Sequence, residues 1–394
     1  MLSEKMLGLG KKRSAIREIF EYGKKRAAEI GADKIFDFSI GNPNVPAPEY
    51  LKRVLIALLE NSDPACLHSY TSAQGDVGVR KIIANNIYER FGTEVTADNI
   101  YITSGAAAAL TISIKAMTVP GDEFIVFAPY FPEYIVFVEA AGAKVVVIPP
   151  DTEDFQIDIE SFEASINKNT KGVIINSPNN PSGVVYSVET INSVCGILSK
   201  KEKEFGHSIY LISDEPYREL VYDDIEVPYL MNYYNNTIVS YSYSKSLSIP
   251  GERIGYIAVS PKMENTDDMY AAICGAGRAL GYVCAPSIFQ QAIAKCIDQT
   301  SDISIYKKNR DILYEELTKL GYKCAKPDGA FYLFIKALEP NAEAFCTKAR
   351  KHELLLVAGD GFGCPGYVRI SYCVRTDQIE KSLPAFAKLA KEYQ

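Results

Sequence analysis

The stretch Ser240-Tyr-Ser-Tyr-Ser-Lys245-Ser-Leu-Ser-Ile-Pro-Gly-Glu-Arg253-Ile-Gly255 follows an apolar strand pattern that begins at Thr237. A lysine just past a strand end, flanked by hydroxyls, is placed to form a Schiff base. Ser242, Ser244 and Arg253 are placed to hold an anion beside it. The same residues also read as a polar loop with a solvated lysine, and the segment alone does not separate the two.

Working outward, short apolar runs alternate with helical patterns. Phe124–Ala128, Lys144–Ile148, Gly172–Asn176, Ser208–Ser213, Thr237–Tyr241 and Ile254–Val259 read as strands, and Ser187–Glu204 as a helix. This predicts an α/β fold with a mostly parallel central sheet sandwiched by helices. Such sheets place ligands at the carboxyl ends of their strands. Further on, Ile303–Leu320 reads as a helix, Gly329–Ile335 as a strand and Asn341–Lys351 as a helix. Strands are expected near Leu354–Val357 and Tyr367–Tyr372, with a last helix from Asp377, which together make a smaller α+β domain. The expected division is an N-terminal segment (1–45) packing with the small domain, a large ligand-binding domain (46–290) and a small C-terminal domain (291–394).

Composition narrows the function classes. The chain has 394 residues, 47% apolar and 23% charged, which is ordinary globular material with enough for a core. That excludes a disordered tail protein, a collagen and a disulfide miniprotein. Lys and Arg number 42 against 49 Asp and Glu, and a net charge of −7 argues against a general nucleic-acid surface. There are 26 Tyr and 17 Phe but no Trp. The nine cysteines (Cys66, Cys195, Cys274, Cys284, Cys296, Cys324, Cys346, Cys364 and Cys373) include no C-x-x-C pair, and only His68, His207 and His352 could join them. No metal site is therefore expected, and the thiols are expected to be reduced and mostly buried. The opening MLSEKMLGLGKKR has no apolar core long enough for a signal peptide. No run reaches the roughly 18 apolar residues of a membrane span. The expectation is a soluble cytoplasmic protein.

Four more stretches carry chemistry. In Ile212-Ser-Asp214-Glu-Pro-Tyr217, a carboxylate at a strand end could pair with a protonated heterocyclic nitrogen, and Tyr217 could donate to a ring oxygen. Asp before Glu-Pro is equally a helix N-cap signal. In Asn176-Ser-Pro-Asn-Asn180-Pro181-Ser-Gly183, the tail is a strong turn signal that would present the Asn180 amide at the sheet's open end. Thr103-Ser104-Gly105-Ala106 reads as strand, tight turn and helix start, which suits a phosphate or simply a closely packed helix. In Gly366-Tyr-Val-Arg369-Ile-Ser371, an arginine inside an apolar strand needs a partner, either a ligand carboxylate or an internal acid.

Taken together, from Ser39-Ile-Gly41-Asn-Pro43 to Arg369-Ile-Ser371, these motifs resemble the class I aminotransferases. These are pyridoxal-phosphate enzymes of the aspartate aminotransferase fold, fold type I. The resemblance implies that 46–290 binds pyridoxal 5'-phosphate and that the reaction is ping-pong transfer of an amino group from an L-amino acid to a 2-oxo acid. Lys245 would be the lysine that carries the cofactor and then moves the substrate proton. Asp214 would pair with the pyridine nitrogen, and Tyr217 and Asn180 would bind the phenolic oxygen. Gly105 and Ala106 would hold the phosphate with Ser104, Ser242, Ser244 and Arg253. Arg369, Asn180 and the Gly41 backbone would receive the substrate α-carboxylate. Tyr70 resembles a tyrosine that reaches the neighbouring subunit's phosphate, which implies a homodimer with shared sites.

The pyridine ring needs a flat partner. In Pro129-Tyr130-Phe131-Pro132-Glu-Tyr134, Phe131 falls in the stacking register, with Tyr130 and Tyr134 beside it. One branch of the family carries Lys after the Gly-Ala of the phosphate turn to bind a second carboxylate; here that position is Ala107. Arg278 is the nearest candidate for an arginine donated across the dimer, and it also reads as an exposed charge late in the Tyr270–Ala279 helix. Aspartate or another dicarboxylic amino acid is the expected donor. A carbon–sulfur β-lyase or a decarboxylase is the alternative on the same fold.

Overall fold

The computed structural model describes residues 2–11 and 15–394; Met1 and residues 12–14 of the opening stretch lie outside the described residues. In chain order the described strands are β1 (Phe36–Asp37), β2 (Ile100–Thr103), β3 (Glu123–Phe127), β4 (Lys144–Ile148), β5 (Thr170–Asn176) and β6 (Tyr210–Asp214). They continue with β7 (Thr237–Ser242), β8 (Gly255–Val259), β9 (Tyr332–Lys336), β10 (Leu354–Leu355), β11 (Val357–Ala358) and β12 (Tyr367–Ser371).

The central sheet runs β2-β8-β7-β6-β5-β3-β4. β4, β3, β5, β6 and β7 are parallel neighbours. Their Val- and Ile-rich cores are what a sheet covered on both faces requires. Alternate residues go to opposite layers. Ile212 and Ile238 pack with Ile112, Tyr134 and Ile273 from the helices Ala106–Met117, Glu133–Ala141 and Thr266–Leu280. Leu211 packs with Ile191 and Val194 of the helix Val188–Phe205 on the other face. The expected α/β sandwich is therefore present.

The last strand of this sheet departs from simple alternation. Between β7 and β8 the chain holds only the short turns Tyr243–Ser246 and Pro250–Glu252. Neither is a crossover helix of the kind that carries a chain over the sheet to a parallel position. β8 returns antiparallel, and its first residue registers against the last residues of its neighbours: Gly255 pairs with Ser242 of β7 and Thr103 of β2. The amino end of β8 thus lies at the carboxyl edge of the parallel strands, which carries Arg253 there.

A second sheet, β11-β12-β9, is antiparallel, and β1 pairs with β10 in parallel. The strand expected over Leu354–Val357 is two short ones, because the chain passes from one sheet to the other at Leu356. The segment leaving β1 is stitched to this region: Phe38 N–H donates to Leu355 O (3.0 Å) and Ser371 N–H to Phe38 O (2.9 Å). The helix Glu4–Lys11 buries no residue, and its Lys5 lies 3.6 Å from Glu139, on a helix of the central sheet.

A first side-chain carbon at Gly255 would run into the Tyr241 carbonyl and stand 3.2 Å from the Cα atoms of Gly105 and Ser242. Gly251, four residues earlier, has open space around it. Gly255→Ala should lower the unfolding free energy in urea by about 1–3 kcal/mol. Gly251→Ala should stay within about 0.5 kcal/mol of the parent. Matching midpoints for the two variants would remove this close approach as a constraint.

Candidate active site

Lys245 sits in the short helical turn that β7 runs into. Ser242 caps that turn, its Oγ accepting from Ser244 N–H at 3.2 Å and donating to Ser244 Oγ at 2.9 Å. The Lys245 Nζ donates to Gly41 O at 2.7 Å. Burial lowers its pKa from 10.5 to about 8; Cys373 opposes this, and the positive charges of Arg253 and Arg369 add to it. Near neutrality an appreciable fraction of this amine is therefore free base.

Asp214 is the last residue of β6, in register with Asn176 of β5 and Ser240 of β7. Its main-chain carbonyl accepts from Asn176 Nδ2 at 2.9 Å, and the Tyr134 hydroxyl donates to Oδ2. Oδ1 is buried and has no hydrogen-bond partner among the described residues. Burial pushes the carboxyl up to about 7, while the Tyr134 bond pulls the other way and Glu215 adds to the rise. The helix cap suggested by Asp-Glu-Pro does not form: residues 216–219 make a turn, with Leu220 N–H donating to Tyr217 O at 2.8 Å.

An anion cradle lies beside the lysine. Gly105 takes φ +84, a left-handed conformation that favours glycine, and opens the helix Ala106–Met117. The first bond within that helix is Ala109 N–H to Gly105 O, so the amides of 106–108 precede it. A side-chain carbon at Gly105 would stand 2.5 Å from Arg253 Nη2. Arg253, itself left-handed at φ 51, donates to Ser244 Oγ (3.2 Å), Pro250 O (3.0 Å) and Ser104 O (3.4 Å). Free amides, a hydroxyl and an exposed guanidinium converge on one spot.

Arg369 comes from β12 and is buried. Its guanidinium donates to Asn180 Oδ1 (3.1 Å) and Ser39 O (2.6 Å), and its Nε has no partner among the described residues. The rings of Tyr332 and Phe362 lie 4.7 and 5.0 Å from it. Among the described residues it makes no ion pair, so the internal acid left open by the sequence is absent and the buried charge lacks a counter-ion. Because Asn180 turns its oxygen to Arg369, its NH2 group is left to donate elsewhere.

A cavity of about 300 Å³ joins these groups. Gly41, Ala106, Phe131, Asn180, Asp214, Tyr217, Ser242, Ser244, Lys245, Arg253 and Arg369 all line it. Ala107 lines it too, with Leu110 one turn on. Ser104 and Gly105 sit just behind the lining. Tyr70 is 92% exposed, and Arg278 is exposed on its helix; neither lines the cavity of its own chain. The sequence reading missed Tyr332, which lines the cavity, and the two polar links Tyr134 to Asp214 and Asn176 to Asp214. It also missed Cys373, which donates to Ile40 O at 3.6 Å, next to Gly41. No local sequence signal marks them, because each contact joins residues far apart in the chain.

The residues present fit a phosphorylated pyridine. Asp214 Oδ1 meets no donor among the described residues, the Gly105 cradle suits a phosphate, and Phe131 offers a flat face. Phe131 is free for this because Tyr134 is committed to Asp214, with the two rings edge-on at 5.6 Å and 84°.

The family described as aminotransferase class I and II matches residues 33–386. A probable aspartate aminotransferase of Methanocaldococcus jannaschii is 32% identical over 382 residues, covering 94% of this chain and 96% of that one. The aspartate aminotransferase of Thermotoga maritima is 30% identical over 366 residues, covering 91% and 92%. The solved structure of an amino transferase from Eubacterium rectale is 58% identical, with a TM-score of 0.98 over 100% of this chain and 99% of that one.

The raised Asp214 carboxyl sets a pH dependence. A carboxyl whose folded pKa lies above its unfolded value stabilises the fold below about pH 4, and that contribution is lost as pH rises through about 7. In protein freed of small molecules, the parent should therefore lose on the order of 2–4 kcal/mol relative to Asp214→Asn between pH 4 and 8. Denaturant midpoints of the two proteins that run parallel across this range would sink the assignment.

Proposed function

The chain belongs to the class I and II aminotransferases, and from that premise we propose that it binds pyridoxal 5'-phosphate in the cavity around Lys245, Asp214 and Arg369. The protein is an enzyme that moves an amino group between an L-amino acid and a 2-oxo acid. One observation carries the site reading: a lysine of lowered basicity, a carboxylate oxygen without a partner and a guanidinium without a counter-ion share one cavity.

When bound, the cofactor supplies an electron-withdrawing ring that spreads negative charge developing at the substrate Cα. Asp214 offers its free oxygen to a protonated ring nitrogen. The cradle at Gly105, with Ser104, Ala106, Ser242, Ser244 and Arg253, holds the phosphate. Tyr217 and the free NH2 of Asn180 donate to the ring oxygen. Arg369 takes the substrate α-carboxylate in place of its missing counter-ion and sets the direction of the Cα–H bond. Lys245, as free base, takes the proton from Cα and later returns one, giving a ping-pong cycle in which a 2-oxo acid leaves before the second enters.

The two curated relatives named for aspartate support a dicarboxylic donor. Ala107 offers no charge for a second carboxylate, which gives that task to Arg278 of a second copy. The exposed positions of Tyr70 and Arg278 support a homodimer with shared sites. Cys284 N–H donates to Ala73 O (3.2 Å), so the segments carrying these two residues pack together on one face. The reading includes a large domain (46–290) and a small one (291–394) packed with 1–45, in a cytoplasmic enzyme. Among the described residues no helix is long and apolar enough to cross a membrane.

Lys245→Ala should abolish turnover and remove the lysine-dependent visible absorbance of bound cofactor; full activity in the variant would refute the role of Lys245. In a screen of amino donors against 2-oxo acids, aspartate with 2-oxoglutarate should rank high. Release of pyruvate and ammonia from cysteine conjugates in its place would indicate a lyase. Arg278→Ala should raise KM for dicarboxylic substrates about tenfold, the worth of one partly exposed ion pair, and leave neutral amino acids unchanged. Equal losses for both classes would take Arg278 out of specificity.

A further inference from the structure

We propose that Tyr332 is a positioning residue that ties the carboxylate end of the cavity to Tyr217. It opens β9 in the small antiparallel sheet, whereas Tyr217 follows β6 of the central sheet. Both are buried, and their hydroxyls lie 2.9 Å apart. The Tyr332 ring lies 4.7 Å from the Arg369 guanidinium. Its hydroxyl also presses on Gly41, where an added side-chain carbon would collide with it, and the Gly41 carbonyl holds Lys245. One side chain therefore touches the carboxylate-binding arginine, the tyrosine at the ring oxygen and the residue on which the lysine rests.

The direction of the hydroxyl bond follows from counting protons. A phenol has one O–H to donate and a lone pair to accept. If Tyr217 gave its proton to Tyr332, it would have none for the cavity. With Tyr332 donating, the Tyr217 proton turns inward, and a phenol that accepts one hydrogen bond donates the next more strongly. Among the described residues the Tyr332 hydroxyl meets no other acceptor, and burial pushes its pKa up to about 12, so it keeps the proton that this role needs. The ring acts separately: its face is attractive to a guanidinium and holds Arg369 flat without neutralising it.

This rests on the reading of Tyr217 and Arg369 given above, and two variants separate the parts. Tyr332→Phe removes one oxygen and keeps the ring. Tyr332→Leu removes both functions. Each holoenzyme is titrated by its visible absorbance, and the binding of maleate, an unreactive dicarboxylate, is measured by calorimetry. Tyr332→Phe should move the midpoint of the visible band upward by about 0.5 pH, with maleate affinity within about twofold of the parent. Tyr332→Leu should show the same displacement and bind maleate about tenfold more weakly. An unmoved midpoint in Tyr332→Phe overturns the hydroxyl role, and unchanged maleate affinity in Tyr332→Leu overturns the ring role. Should the leucine variant not fold, the phenylalanine variant alone decides the hydroxyl role. A parent protein with no visible band after incubation with pyridoxal phosphate, or Arg369→Lys with unchanged maleate affinity, would refute the underlying reading and not merely Tyr332.

Discussion

The close approach of Gly255 to the end of β7 is the constraint on which the site depends. The chain after β7 forms only short turns and no crossover helix, β8 turns back, and its first residue must fit between the Tyr241 carbonyl and the Gly105 backbone. That contact sets Arg253 against the start of the Ala106–Met117 helix and against Ser244. It also holds the turn that carries Lys245. The anion cradle and the lysine are two results of one backbone packing event, and neither could shift without the other.

On this frame the protein assembles charges that its own residues do not neutralise. Asp214 keeps one oxygen unpaired, and Arg369 is held by a carbonyl, an amide and two rings in place of an acid. Burying such groups is unfavourable. A ligand with a protonated ring nitrogen and a carboxylate would satisfy both, so binding and folding stability are coupled by mass action. Lys245 contributes differently, since its lowered basicity makes it ready to exchange protons near neutrality.

Much of this was legible in the chain itself. The motifs ending at Asn180, Asp214 and Lys245 each follow a Val- or Ile-rich run, and local pattern places strand ends well. The antiparallel return of β8 is not legible in the sequence, because a connection of this length fits either strand direction. The links that finish the site were silent for a physical reason. Arg369 meets Ser39, 330 residues away in sequence, and Tyr217 meets Tyr332, 115 away. No local periodicity encodes such pairs. The chain holds no Trp, so a flat partner for a ring can come only from another aromatic residue or His, and the Tyr134 hydroxyl committed to Asp214 leaves Phe131 without that competitor. The split at Leu356 escaped notice because a single apolar run fits one strand as well as two.

The extended segment after β1 has one more consequence. It serves the site through its main chain, with the Ser39 carbonyl on Arg369 and the Gly41 carbonyl on Lys245. Carbonyls are the same whatever side chain they precede. Ile40 can therefore vary in identity as far as packing allows, whereas Ser39 also gives its hydroxyl to Asp37 at 2.6 Å, and a residue inserted or deleted between Phe38 and Gly41 would displace both carbonyls. A drift of one position would replace both carbonyls by those of neighbouring residues, which point the other way along an extended chain. Spacing, and the smallness of Gly41 beneath the Tyr332 hydroxyl, are what this stretch has to preserve.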